Sequence, residues 1–114
     1  MKEQIEFSEF LEIEKKLEIK LGKITEVVKI EGSDKMLKLS VDLNEEQERT
    51  VMTNIGKGLT EKEAKSNFEG MKYYFITNLQ TATIMGVEST AMIMVPTVGD
   101  ELQLNNVPSG AKLL

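Results

Sequence analysis

The sequence predicts an all-β domain: a small barrel of five strands, with one short helix between the third and fourth and an extension at the C-terminus. Three observations lead there. Residues 36–43 alternate between polar and apolar without a break, the period-two pattern of a strand with one face in a core. Thr60-Glu61-Lys62-Glu63 has the spacing of a capping box, so a helix opens inside otherwise strand-forming sequence. The chain has 114 residues, enough for one domain around one modest core.

At the N-terminus, Ile5, Phe7, Phe10 and Leu11 stand at mixed helical spacing, with Ser8 available as a cap. A short helix or turn is therefore expected within residues 1–16. From Leu17 the pattern turns strand-like, with Leu17, Ile19 and Leu21 expected inward and Glu18 and Lys20 outward. The phase slips at Gly22, after which Ile24, Val28 and Ile30 carry the apolar side. A β-bulge at that glycine would bend the first strand as barrels require. In the second strand Leu37, Leu39, Val41 and Leu43 face inward, and Met36, Lys38, Ser40 and Asp42 face outward. The polar loop 44–48 leads into a third strand, Arg49 to Ile55. There Val51, Thr53 and Ile55 are inward and Thr50, Met52 and Asn54 outward. Gly56-Lys57-Gly58 ends it, and the capped helix runs to Phe68. Met71 to Leu79 is dense in β-formers and reads as a buried fourth strand. Residues 80–89 read as a loop containing Gly86, and Ala91 to Val95 as a fifth strand closed off by Pro96.

Three strands, a helix and two further strands is the order of an OB-fold barrel. A β-sandwich competes, but it usually takes about seven strands and has no use for the interposed helix. The barrel is placed at residues 17–95. Residues 1–16 precede it, and residues 96–114 form an extension expected to add a sheet or a subunit contact.

Composition excludes several functions. The net charge is −5 and the pI about 4.9, which argues against a polycationic binder. Charge is unevenly placed, however: residues 1–19 hold three Lys and six Glu, whereas 20–38 hold five Lys and three acids. With no Cys and no His, the chain lacks thiolate ligands, disulfides and the usual general base. Ser33 and Lys35 are close in sequence but lie on a turn with no sign of the burial that would activate a lysine. Asp42 to Glu46 resembles the start of a calcium loop, yet Gln47 stands where its glycine belongs and Thr53 where its glutamate belongs. No phosphate-cradling glycine loop is present. No cofactor, no metal and no enzymatic activity of the chain itself are expected. No apolar run approaches a membrane span and the N-terminus is not a signal peptide, so a soluble cytoplasmic domain is expected.

The outward faces of the first three strands offer Lys20, Lys38, Ser40, Met52 and Asn54, with Lys35 at the preceding turn. Cations among hydroxyl, amide and thioether groups suit a phosphodiester backbone with unpaired bases beside it. A solvated sheet face presents the same residue types. Met92 and Met94, at strand spacing, are most simply barrel packing.

Longer stretches carry a family resemblance. "IEGSDKMLKLSVDL" (30–43) followed by "RTVMTNI" (49–55) resembles the signature of the tRNA-binding domain appended to methionyl-tRNA synthetases. That domain also occurs in free-standing tRNA-binding proteins and in the endothelial monocyte-activating polypeptide II family. "LEIKLGKI" (17–24) is similar to the family's opening strand, "ITNLQTATIMGVESTAM" (76–92) to its Asn-Leu, Met-Gly and Ser-x-x-Met segments, and "VPSGAKL" (107–113) to its close.

The resemblance implies an OB-fold that binds tRNA structure without catalysing anything, alone or beside a methionyl-tRNA synthetase catalytic chain. It places Lys20 at the family's strand arginine and Lys35 and Lys38 at the basic residues after the Gly-Ser-Asp turn. Asn78, Ser89 and Met92 match its Asn-Leu and Ser-x-x-Met motifs. The chain departs from the family at Gln80-Thr81-Ala82-Thr83, where cations are usual, and fewer cations mean less counterion release. A docking module with weak or lost RNA binding is the rival reading.

Assembly follows from what the barrel leaves over. Val98, Leu102, Leu104 and Val107 in the extension, and Ile5, Phe7, Phe10 and Leu11 before the barrel, have little core of their own. A two-fold homodimer is expected to cover them; a tail folded over one barrel end is the alternative.

Overall fold

The computed structural model describes residues 2–98, 101–102 and 112–113. A helix, α1 (Phe7–Lys16), precedes strands β1 (Ile19–Lys29), β2 (Leu37–Asp42) and β3 (Arg49–Thr53). Helix α2 (Glu61–Phe68) follows, then β4 (Lys72–Ile76), β5 (Ala82–Ile84), β6 (Val87–Ser89) and β7 (Met92–Met94). Five strands form one antiparallel sheet in the order β3-β2-β1-β4-β7. The sheet curls until its two ends meet. Met52 N donates to Ser89 Oγ at 2.9 Å and Thr90 N to Thr50 O at 3.1 Å, so a seam of single bonds joins β3 to the segment entering β7. This is the expected OB-like barrel, with α2 between the third and fourth sheet strands.

The predicted capping box is present: Thr60 Oγ1 accepts from Glu63 N and Glu63 Oε1 accepts from Thr60 N. Those bonds, the Thr60 backbone N–H foremost, hold the Glu63 carboxyl below the usual carboxylate range. Helix α2 buries Ala64 and Phe68 against Ile24, Val27, Leu39, Val51, Phe75, Ile93 and Val95, a single closed core. Burial against this core also pushes the Tyr73 phenol up.

Several sequence expectations need correction. In β1 the inward positions are Gly22, Ile24 and Val27, while Leu17, Ile19 and Leu21 are exposed. The bulge is at Thr25, where pairing with β2 shifts between Ile24 and Glu26, not at Gly22. On either side of it, Ile24 N and O bond to Met71 O and Gly70 N, and Val27 N donates to Glu69 Oε2, so the segment after α2 takes over these backbone groups. Gly22 serves close approach instead: a Cβ there would lie 2.7 Å from Leu43 Cδ2 and 2.8 Å from Val41 Cγ1. Helix α1 begins at Phe7 after Glu6, which makes no side-chain cap bond, so Ser8 lies inside the helix.

Met36 and Met52 are buried rather than outward, and β4 buries only Phe75 of its five residues. The expected 80–89 loop contains the hairpin β5–β6, turned at Met85 (φ 51°) and Gly86 (φ 79°). Two successive left-handed residues are what a two-residue type I′ turn requires. Beyond the barrel, β8 (Pro96–Val98), β9 (Glu101–Leu102) and β10 (Lys112–Leu113) form a small sheet in the order β10-β8-β9. Leu104 and Val107, which the sequence reading assigned to a subunit contact, lie outside the described residues.

Candidate nucleic-acid interface

Among the predicted residues, Lys35, Lys38 and Asn54 come together at one end of the β2–β3 ladder. Lys38 pairs with Met52 and Leu37 with Thr53, the residue before Asn54, while Lys35 O accepts from Gly56 N at 2.8 Å. The turn that presents Lys35 is fixed locally. Gly32 (φ 87°) provides its left-handed residue, and Ser33 Oγ accepts from Met36 N at 3.2 Å. The Lys35 side chain is left exposed, and that of Lys38 is half-buried on the outward face of β2. Among the described residues, neither makes an ion pair. Lys38 also lines an open groove of about 640 Å³ between the β2–β3 edge and the β5–β6 hairpin. Arg49, Thr50, Glu48 and Val87 are among its other walls.

Lys20 sits elsewhere. It shares the inward side of β1 with Gly22 and Ile24 at the strand's start, where its Nζ is 3.6 Å from both Glu18 Oε1 and Glu45 Oε2. Beside it is Arg49, a residue the sequence reading passed over. Arg49 pairs with buried Val41 and therefore starts toward the same end of the interior. Its Nε and Nη2 each donate to Glu45 at 2.8 Å, while Nη1 donates to Thr77 O at 2.6 Å and Thr90 O at 3.3 Å. One guanidinium thus ties the 44–48 loop, the end of β4 and the seam together. The paired hydrogen bonds from Arg49 hold the Glu45 carboxyl below its ordinary range, and their counterpart raises Arg49. Glu18 is also held low, first by the Thr77 hydroxyl, which donates to it at 2.6 Å, then by Lys20.

Two motif residues are placed in structural bonds. Asn78 Oδ1 accepts from Glu18 N at 2.9 Å and its Nδ2 donates to Lys16 O, fastening the α1–β1 junction to the end of β4. Ser89, 6% exposed, accepts from Met52 N at the seam. Met92 is exposed on the outer side of the barrel, paired with Ile76, which in turn pairs with exposed Ile19. The neighbouring rungs add exposed Leu21 and Tyr74. Helix α1 buries none of its residues, and Phe7 is 74% exposed.

Among the described residues no group of three or more acidic, His or Cys side chains is placed to hold a metal ion. No described helix is long and apolar enough to cross a membrane.

Residues 19–113 match the family described as "Putative tRNA binding domain". The chain is 37% identical over 89 residues to the methionine–tRNA ligase of Campylobacter jejuni, covering 78% of this chain and 14% of the ligase. It therefore spans a small part of the curated relatives it matches. The structure resembles that of a "MetRS related protein" from Pyrococcus horikoshii, with TM-score 0.70 and 31% identity over 97% of this chain and 94% of that one. It also shares its fold with the CsaA chaperone protein of Picrophilus torridus, at TM-score 0.67 and 20% identity over 94% of this chain and 92% of that one.

Proposed function

The chain belongs to the tRNA-binding domain family, and from that premise we propose that it is a non-catalytic module that brings tRNA to a methionine–tRNA ligase. It acts either as a part or subunit of such an enzyme or free-standing in the cytoplasm, raising the effective tRNA concentration near a catalytic partner. The observation that supports the reading most is the pair Lys35 and Lys38 at one end of the β2–β3 ladder, free of carboxylate partners among the described residues. Phosphate contacts of this kind position tRNA without reading sequence. The rival, a docking module with little RNA binding, draws support from the carboxylates that occupy Lys20 and Arg49. A direct titration of the intact chain with tRNA separates them. Binding that weakens steadily with added salt supports the first; no binding even at low salt establishes the rival.

The same reading includes a homodimer. Helix α1 and the outer rungs of β1, β4 and β7 expose Phe7, Phe10, Ile13, Ile19, Leu21, Tyr74 and Met92, more apolar surface than isolated exposed residues would leave. A two-fold contact would bury these groups against their own copies. Light scattering should give twice the chain mass at roughly tens of micromolar, and Phe7→Glu with Phe10→Glu should shift it toward monomer. A monomer mass for the unaltered chain at that concentration defeats the dimer.

A further inference from the structure

We propose that Lys20 and Arg49 form a second phosphate-binding site, and that Glu45 is an intramolecular stand-in for phosphate which tRNA displaces. This rests on the tRNA reading above and goes beyond Lys35 and Lys38 to a site that is masked in the free protein.

The Glu45 carboxylate meets Arg49 through two parallel bonds of 2.8 Å, to Nε and Nη2. Two oxygens accepting from one planar fork is also how a guanidinium takes a phosphate. Lys20 Nζ stands 3.6 Å from the same carboxylate, as a point charge would beside a bound phosphate oxygen. What makes exchange feasible is that Arg49 does not depend on Glu45 for its position. Its Nη1 is held separately by Thr77 O and Thr90 O. When Glu45 leaves, the Nε and Nη2 edge stays aimed at the place the carboxylate vacated.

Glu45 itself is on the 44–48 loop, entered through the left-handed residue Asn44 (φ 62°), and its side chain keeps 29% of its surface in water. The Arg49 side chain keeps 23% of its own, so a departing carboxylate is resolvated, although a bidentate pair is stronger than most surface ion pairs. Of the three residues, Arg49 reaches the groove that Lys38 lines, whereas Lys20 and Glu45 are not among its walls. A tRNA backbone engaging Lys38 would present neighbouring phosphates to the Arg49 fork. Glu18, bonded to Thr77 and 3.6 Å from Lys20, remains as the local counter-charge.

The test compares Glu45→Gln with Glu46→Gln. The second removes the same formal charge from the same loop, at an exposed residue with no bond or ion pair among the described residues. Glu45→Gln should bind tRNA about three- to tenfold more tightly than Glu46→Gln. Its log–log salt slope should be steeper by up to about 1, the increment of one phosphate contact. Arg49 is the only arginine in the chain, so its Nε–H gives one unambiguous NMR signal in the unaltered protein. That signal should move when tRNA is added.

If tRNA binds but the Arg49 signal stays in place at saturation, this inference is overturned while the tRNA reading stands. Equal affinities of the two variants, both shown folded by their melting curves, overturn it likewise. If the unaltered chain and both variants fail to bind tRNA at all, the functional reading fails and takes this one with it.

Discussion

Reversing Lys35 and Lys38 together to Glu is expected to weaken tRNA binding on the order of 100-fold at about 0.1 M monovalent salt. The magnitude comes from counterion release. Each phosphate neutralised contributes roughly a factor of the salt concentration to the power −0.9, so two contacts are worth about 60-fold at that salt relative to about 1 M. Two introduced carboxylates add repulsion. For the unaltered chain the log–log slope should lie at roughly −2 to −4, as a few phosphates require, and the double variant should lose about 2 of it. Because phosphate contacts position without specifying, all tRNAs should weaken in parallel. The measurement is a tRNA titration at several salt concentrations. An affinity within twofold of the parent would remove these lysines from the interface.

The second large effect is on stability. Gly22→Val should cost the barrel about 3 kcal/mol or more, beyond the usual range of about 1–3 for a crowded core. The backbone at Gly22 is ordinary strand, so conformation is not the obstacle; space is. A Cβ alone would sit 2.7 Å from Leu43 Cδ2, 2.8 Å from Val41 Cγ1 and 3.0 Å from Phe75 Cδ1. Valine adds two further methyl groups to that contact. Small domains have only about 5–15 kcal/mol in total, so the loss should be plain in a urea titration. Gly22→Ala should fall between the two. A valine variant with an unchanged midpoint would mean the strands can part at this point without cost.

Where one residue type reports one environment, the sequence was legible. In β2 every apolar side chain from Leu37 to Val41 is buried, and the Thr60–Glu63 box caps α2 as spacing alone indicates. The first strand misleads because one of its three buried positions is a glycine, which carries no hydropathy signal. Its outward positions Ile19 and Leu21 are apolar although exposed, so alternation was read in the opposite phase. That error also put Lys20 on the open face when it stands among carboxylates.

Met52 reads as outward for a related reason. Its backbone N–H donates to Ser89, 37 residues away, in a hairpin that reads as a polar loop. The Met85-Gly86 turn is its available signal, although Gly86 alone marks only a loop. Arg49 escaped attention because its value lies in its neighbours. Glu45 is four residues back, but Thr77 and Thr90 are 28 and 41 residues ahead, and no local pattern links them.

The seam has a consequence for how the barrel forms and opens. Strands β1, β2 and β3 pair with their immediate neighbours in the chain, so their ladders can zip with little loop entropy against them. Joining β3 to residues 77–90 must first close a loop that also contains α2 and β4, and loop closure is unfavourable until the contacts it permits are made. The seam is therefore expected to be the last joint to form. Its backbone bonds are also few, Met52 N to Ser89 Oγ and Thr90 N to Thr50 O, with the Arg49 guanidinium as the side-chain tie across it. Under native conditions these two amides should exchange with deuterium ahead of those inside the β1–β2 ladder, through a partial opening that leaves the meander paired. Equal protection at both places would mean that the barrel opens only as a whole.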